Sequence, residues 1–71
     1  MARRADPKRI DAARRAAVRN VLIDENGMSP DLADTWITSW EAEAAGRGLV
    51  RSSEYWTLGL VWIHEQTRRK G

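Results

Sequence analysis

The sequence contains no cysteine and only one histidine. Without cysteine it has no disulfide and no thiolate ligand, and one histidine cannot complete the four nitrogen or sulfur ligands of a structural zinc site. A chain of 71 residues makes one domain, near the size at which a single apolar core is only just sufficient. We therefore predict a single domain with no metal, no cofactor and no need for an oxidising compartment.

Long apolar runs are also missing. No stretch approaches the ~20 apolar residues of a membrane span, and the first 20 residues lack the apolar core of a signal peptide. Their Arg- and Ala-rich composition is partly that of a mitochondrial presequence, but they contain Asp6 and Asp11 and no serine. We expect a cytoplasmic protein that does not bind membranes.

The motifs of common enzyme classes are absent as well. The stretch "HEQTR", which begins at His64, has arginine where a zinc protease needs its second histidine. Glu41 and Glu43 lie about 200° apart around a helix, so they cannot act together as an acid and base pair. No GxSxG, P-loop or GxGxxG motif occurs. We predict no catalytic residue, no small-molecule substrate and no enzymatic activity; the one remaining alternative is a site that a partner completes.

Three helices are predicted from their start signals and from the absence of any stretch that alternates with period two. Asp6 and Ser29 are capping residues, and Pro7 and Pro30 follow them at the first helical position. The predicted helices cover about 7–25, 30–46 and 53–69. The expected fold is all-α, a compact three-helix domain over residues 6–71 with a flexible basic tail at 1–5.

Two helix boundaries are left open. The second helix ends at Gly46, or at Gly48 if Leu49 folds back on the helix. The third helix begins at Ser52 or Ser53, because either hydroxyl can cap the first backbone amides. The connections are short in every case, which favours antiparallel sequential neighbours.

The apolar positions recur with helical spacing and predict which faces pack. On the first helix, Ile10, Ala13, Ala17 and Val21 share one stripe. Gly59 lets another helix approach the third one closely. We expect the four tryptophans to form core rather than a platform for stacked bases, because their neighbours on the second helix are acidic. The predicted core consists of Ile10, Ala17, Val21, Leu32, Trp36, Trp40, Trp56, Leu58, Trp62 and Ile63.

Charge is segregated along the chain. Residues 1–19 carry a net charge of +5, residues 20–67 carry −6, and residues 68–71 carry +3. Basic side chains on the first helix fall almost opposite its apolar stripe, and some crowd the end where the helix dipole disfavours cations. Such a strip suits the phosphates of DNA or RNA. We predict a small nucleic-acid-associated accessory protein that grips phosphates through Arg4, Lys8, Arg15 and Arg19, with Arg68, Arg69 and Lys70 adding to the patch if helix 3 ends nearby.

Alternatives remain for these surfaces. If the basic strip on the first helix does not bind phosphates, it is a solvated face, or it forms ion pairs with Asp34 and Glu41 of the same molecule. The runner-up function is a protein-interaction module, a small regulator or inhibitor that docks on a larger protein through Asp34 and Glu41 or through the Arg-rich helix. Leu22, Ile23 and Val61 lie off the apolar stripes, which makes a homodimer or a larger partner plausible. A helix-turn-helix is not evident, because helix 2 is acidic and helix 3 mostly apolar.

The segment 36–66, "WITSWEAEAAGRGLVRSSEYWTLGLVWIHEQ", resembles small helical proteins of unassigned role from actinobacteria and their phages. The features that match are Trp40 with Glu41, "RGL" at 47–49, "YW" at 55 and 56, Gly59, and "WI" at 62 and 63. The resemblance implies a helical fold and a phage or mobile-element setting. It implies no activity and no functional residue.

Overall fold

Three helices make up the computed structural model, which describes residues 6–70. Helix α1 spans Pro7–Asp24, α2 spans Pro30–Arg47 and α3 spans Ser53–Lys70. The described part contains no strand, so the predicted all-α, three-helix fold is confirmed. The tail predicted at residues 1–5 lies outside the described residues. Over residues 6–70, no helix is both long enough and apolar enough to cross a membrane.

The three helices begin on capping side chains. Asp6, Ser29 and Ser52 each accept a hydrogen bond from a backbone N–H two or three residues further on, at 2.9, 3.2 and 3.3 Å. Pro7 and Pro30 occupy the first helical positions, where the missing N–H costs nothing and the fixed φ suits the helix. Ser52, and not the serine that follows it, caps α3.

Helix α1 ends in a turn that redirects the chain toward α2. The N–H of Glu25 donates to the carbonyl of Val21 at 2.8 Å, and the N–H of Met28 donates to the carbonyl of Leu22 at 3.1 Å. Gly27 takes a φ of +70°, a conformation that side chains with a Cβ rarely adopt. Gly27 therefore supplies the left-handed residue of the turn that follows α1.

Gly48 ends α2, which decides between the two candidate glycines. Its φ is +71°, whereas Gly46 lies within the helix. The N–H of Gly48 donates to Ala45 and the N–H of Leu49 to Ala44, both at 3.1 Å. Leu49 thus folds back on the helix, as the αL ending requires.

The helices run up, down and up. Contacts between α1 and α2 pair ascending positions on one helix with descending positions on the other, Arg15 with Glu41 and Arg19 with Asp34, so the two are antiparallel. Short connections favour this arrangement. Ring contacts such as Trp36 with Trp62 and Trp40 with Tyr55 show the same for α2 and α3. Helices α1 and α3 are consequently parallel, and the start of α1 lies beside the start of α3.

The core lies where the three helices meet. Of the residues predicted for it, Trp40, Trp56 and Ile63 are buried, and Ile10, Val21, Trp36 and Trp62 are half-buried. The tryptophans pack as expected: Trp62 contacts Trp36 with ring centroids 6.1 Å apart and Trp40 at 5.8 Å. The buried set comprises Val18, Leu22, Ala33, Ile37, Trp40, Ala44, Tyr55, Trp56 and Ile63.

The packing face of α1 differs from the prediction by roughly one third of a turn around the helix. Val18 and Leu22 are buried, while Ala13 and Ala17 of the predicted stripe are exposed. The physical reason is the apolar area available, because burying a leucine or valine removes far more of it from water than burying an alanine methyl. The placement of Leu22 outside the core is therefore wrong, as is the placement of Ala17 within it.

Two predicted core leucines lie on the surface. Leu32 is 46% exposed and Leu58 is 47% exposed. Ile37 takes the inward position on α2 and Tyr55 the inward position on α3. The large rings set this rotation, because Trp40 lies directly over Gly59 and leaves Leu58 on the outer side of α3.

Candidate nucleic-acid interface

Arg15 and Arg19 lie on the edge of α1 that faces α2. Nε of Arg19 donates to Oδ1 of Asp34 at 2.8 Å, and Nη2 of Arg15 donates to Oε1 of Glu41 at 3.4 Å. Their predicted position opposite the packing face is wrong, because the packing face has turned toward them. Both guanidinium groups are half-buried and already face a carboxylate of the same molecule.

Asp34 and Glu41 are the acidic residues proposed from the sequence as an alternative protein-binding face. Asp34 faces Arg19, and the carboxylate of Glu41 faces both Arg15 and Arg51. The strip is predicted from the sequence to bind phosphates, to be a solvated face, or to pair with carboxylates of the same molecule. Arg15 and Arg19 form such intramolecular pairs. The charge that these two carboxylates present to a partner is therefore largely neutralised.

Arg51, in the connection between α2 and α3, joins all three helices. Its Nη1 donates to Oδ2 of Asp11 on α1 and its Nη2 donates to Oε2 of Glu41 on α2, both at 2.8 Å. Its guanidinium also lies over the rings of Tyr55 and Trp56 on α3, 5.2 and 5.7 Å from the centroids. Nε1 of Trp56 completes the cluster by donating to Oδ1 of Asp11 at 2.8 Å.

Arg51 is not among the site residues predicted from the sequence. A signal was available, since Arg51 is one of only two basic residues between positions 20 and 67. It also stands a few residues before the adjacent aromatics Tyr55 and Trp56. An isolated cation among carboxylates and beside aromatic rings is typical of a forked, stacked arginine contact.

The cluster changes the proton affinities of two of its members. The hydrogen bond to Glu41 is the main reason that the pKa of Arg51 is raised, with partial burial opposing it and the bond to Asp11 adding to it. Burial raises the pKa of the Tyr55 hydroxyl, and the nearby charge of Arg51 only partly offsets this. Both groups stay protonated at neutral pH, so the cluster is a fixed structural element there.

Three cations without an ion pair among the described residues lie in the N-terminal half of α1. Lys8, Arg14 and Arg51 line an open cleft of about 420 Å³, together with Asp11. No ion pair joins Lys8 or Arg14 to a carboxylate within the part of the chain that the structure describes. Both side chains belong to exposed residues. Arg9 is a third exposed cation on the same two turns.

The basic end of α3 lies at the opposite end of the molecule. Arg68 shares a shallow surface depression with Glu25 and Asn26, at the end of α1, and Nε2 of His64 lies 3.3 Å from Oδ1 of Asn26. Arg68 and Arg69 therefore do not extend the patch around Lys8. The end of α3 is not near the start of α1, so the predicted contribution of Arg68 and Arg69 to that patch is wrong. The side chains of Arg4 and Lys70 lie outside the described residues.

The arrangement offers no cluster of metal ligands. Among residues 6–70, no three His, Cys, Asp or Glu side chains come together in a way that could hold a metal ion. What the described surface does provide is three cations without ion pairs, Lys8, Arg9 and Arg14, in the N-terminal half of α1. Backbone N–H groups of the first turn add positive potential beside Lys8. Such an arrangement can hold an anion.

Comparisons with known proteins add no family to this description. No protein-family model matches the chain. No curated protein matches it, and no solved structure does. The resemblance to small actinobacterial and phage proteins stays a prediction.

Proposed function

We propose that this protein is a small, non-enzymatic accessory protein, cytoplasmic in setting, that binds the phosphate backbone of DNA or RNA through the N-terminal half of α1. The observation that carries the proposal is the pair Lys8 and Arg14, which line one cleft and have no carboxylate partner among the described residues. Arg4 extends this cluster along the sequence. Arg15 and Arg19 are assigned mainly to holding α1 against α2.

Phosphate is the anion that these residues suit best. A guanidinium presents a planar fork to phosphate oxygens, and an ammonium group adds a compact point charge. The seven basic side chains in residues 1–19 also favour a polyanion, because each neutralised phosphate releases counterions. Contacts of this kind position a protein on nucleic acid without reading bases. We therefore expect binding with little sequence preference.

The salt dependence of binding tests the proposal. We measure the affinity for a short duplex and for single-stranded RNA by fluorescence anisotropy across a series of salt concentrations. Two phosphates held by Lys8 and Arg14 account for a slope of log affinity against log salt of about −1.8 on duplex DNA. Changing Lys8 and Arg14 to glutamine should remove that part of the slope and weaken binding to every sequence alike.

Two matched variants make the result specific. Arg68→Gln with Arg69→Gln changes the charge equally at the far end of the molecule and should leave the slope nearly unchanged. Arg15→Gln with Arg19→Gln tests the strip predicted from the sequence, and circular dichroism first checks that this variant is folded, because it also loses the ion pairs to Glu41 and Asp34. A drop of about two in the slope of the folded variant would show that Arg15 and Arg19 hold the phosphates. Absence of binding to either nucleic acid at about 50 mM salt, where screening is weak, contradicts the proposal.

A protein-interaction module is the second candidate, and one observation favours it. Leu58 and Val61 are neighbours on the outer side of α3, 47% and 51% exposed. Exposed apolar pairs on a small domain are candidates for partner contacts. Replacing Asp34 and Glu41 is not a clean test of this function, because those changes also break the ion pairs to α1.

A capture experiment separates the two candidates. The protein is immobilised and exposed to nuclease-treated lysate, with Leu58→Lys plus Val61→Lys as the variant. A partner that survives nuclease and is lost in this variant, but kept when Lys8 and Arg14 are changed, favours the interaction module. A partner lost on nuclease treatment alone favours nucleic-acid association.

A further inference from the structure

Helix α1 carries an apolar face that the fold leaves uncovered. Ala13 and Ala17 are exposed, and Ile10 and Val21 are only half-buried. These are the residues that the helical spacing marks as one stripe, and the core uses Val18 and Leu22 in their place. The helix therefore has two apolar faces, and only one of them packs against other parts of residues 6–70.

The uncovered face continues into a groove between α1 and α3. The groove has a volume of about 210 Å³ and is lined mainly by apolar side chains, among them Ala17 and Val21 of α1 and Trp56 and Leu60 of α3. Among residues 6–70, Arg14 is the one charged residue in its lining. It is an open surface feature that an aliphatic side chain can fill. The face thus combines a flat centre, where alanines permit close approach, with an apolar recess on one side.

The charges at the two ends of this face are opposite. Arg9 lies near the start of α1 and Asp24 at its last position, and both are exposed and without an ion pair among the described residues. Their spacing places them on the same flank of the helix, within about 60° of each other. This arrangement opposes the helix dipole at both ends, and no contact within residues 6–70 compensates either charge.

We infer that this face binds the same face of a second copy, with the two α1 helices antiparallel about a twofold axis near the middle of the helix. Ala13 and Ala17 lie at nearly equal distances on either side of that point, and so do Ile10 and Val21. In this register each alanine meets an alanine of the second copy, and Ile10 packs on Val21 of the second copy beside its groove. Such a self-complementary patch is what a twofold dimer requires.

Charge complementarity selects the antiparallel second copy as the occupant. The same register brings Arg9 of each molecule to Asp24 of the other, which makes two symmetric ion pairs. A parallel pair would instead align like charges at both ends. Arg9 and Asp24 oppose the helix dipole in the monomer, but each gains an ion pair in the dimer. One helix pair and its flanking groove cover less than the ~1,600 Å² of a standard interface, so we expect a dissociation constant of about 1 to 100 µM.

Sedimentation equilibrium of the full chain tests this inference. Over a range from about 1 to 300 µM, the mass should rise from 8.1 kDa toward twice that value. Ala17→Arg places two guanidinium groups at the centre of the interface and should weaken dimerisation at least about tenfold. Ala12→Arg is the matched control, since Ala12 is also exposed but lies on another side of α1. It should dimerise as the wild type does.

A charge exchange tests the register. Arg9→Asp and Asp24→Arg each create two like-charge pairs in the dimer and should each weaken it at least about fivefold. The double variant restores opposite charges and should dimerise within about threefold of the wild type. Both single changes suit the helix dipole, so the melting temperature of the monomer should stay the same or rise. Loss of dimer through unfolding is thereby distinguished from loss of the interface.

Three results would overturn the inference. These are a wild-type chain that remains monomeric at about 300 µM, an Ala17→Arg variant that associates like the wild type, and a double exchange that stays as weak as the folded single variants. Arg14 lines both this groove and the cleft proposed to hold phosphate, so a second copy and nucleic acid would share part of one surface. The two proposals are still tested separately, because sedimentation of the protein alone measures dimerisation and anisotropy with DNA or RNA measures phosphate binding.

Discussion

The indole of Trp40 on α2 lies directly against the backbone of Gly59 on α3. A Cβ atom placed on Gly59 would be 2.5 Å from Nε1 and 2.6 Å from Cδ1 of Trp40. Trp40 is fully buried, and its Nε1 has no hydrogen-bond partner in the described structure. An unpaired buried donor costs about 1 to 3 kcal/mol. The indole of Trp40 therefore packs against the backbone of Gly59 even though its N–H remains without a hydrogen bond among residues 6–70.

Gly59→Ala should destabilise the fold by about 1 to 3 kcal/mol, because the methyl group overlaps a ring that has no room to move within the core. The free energy of unfolding from urea titration, followed by tryptophan fluorescence, measures the loss. Gly46→Ala is the control: Gly46 is also helical, but a Cβ there meets nothing within 4 Å. That change should stabilise by up to about 1 kcal/mol. Equal effects at both glycines would contradict the packing described for Trp40.

Leu22→Ala should lower the free energy of unfolding by about 2 to 5 kcal/mol, because the side chain is completely buried and its loss leaves a cavity. Leu58→Ala makes the same chemical change at a residue that is 47% exposed. It should cost less than about 1 kcal/mol. Thermal unfolding followed by circular dichroism compares the two. A larger loss at Leu58 would mean that the helices pack through the stripes expected from spacing alone.

Arg51→Met should destabilise by about 1 to 2 kcal/mol, since it removes two ion pairs, and the stacking of a guanidinium on two rings, at a point shared by three helices. Arg47→Met is the comparison, because Arg47 makes one ion pair, with Glu43 one turn away, and lies over one ring, that of Trp40, at 5.9 Å. It should cost less than Arg51→Met, about 1 kcal/mol or less. Arg51→Lys should recover only part of the loss, because an ammonium group cannot bridge two carboxylates as a fork. Full recovery by lysine would show that charge alone matters at this position.

Stability should fall at alkaline pH because of Tyr55. Its pKa is raised by burial in the folded protein, so the unfolded chain releases the phenolic proton first. The stability that depends on protonated Tyr55 is fully present below the pKa of the unfolded chain, which is about 10. It is lost as the pH rises through the higher pKa of the folded protein, and the free energy of unfolding falls by up to about 1.4 kcal/mol per pH unit. Urea titrations between pH 8 and pH 11.5, as nominal limits around that pKa, measure the loss.

Tyr55→Phe is the control for the alkaline transition. It keeps the ring that packs 5.4 Å from Trp40 and removes the ionisable group. The variant should lose less stability than the wild type over the same pH range. Because the chain has one tyrosine, phenolate absorbance reports this group directly. Identical alkaline profiles for the two proteins would mean that Tyr55 ionises as freely in the folded state as in the unfolded one.

The helix boundaries could be predicted from the sequence because the signals that set them are local. An Asp or Ser side chain reaches a backbone N–H only two or three residues away, and a glycine takes a left-handed φ wherever a turn needs it. Asp6, Ser29 and Gly48 act in this way. The ring contacts across α2 and α3 were also predictable, since Trp36, Trp40 and Trp62 are too large to be left uncovered.

The face on which α1 packs could not be obtained in the same way. Its spacing supports two apolar faces, one through Ala13 and Ala17 and one through Val18 and Leu22, and periodicity alone favours the longer stripe. The choice depends on what the other helices present. Asp11 accepts hydrogen bonds from Arg51 and Trp56, which belong to other parts of the chain, and no spacing within α1 contains that information.

The sequence by itself therefore determined the number of helices, their ends and the large rings at their contacts, because these depend on interactions within a few residues or on side-chain size. Tertiary structure decided the rotation of each helix, and with it the role of every charged residue on α1. Arg15 and Arg19 became partners of α2, whereas Lys8 and Arg14 stayed free of ion pairs among the described residues. The physical reason is that a charge is neutralised by whichever group lies within a few ångströms of it, and chain folding alone sets that distance.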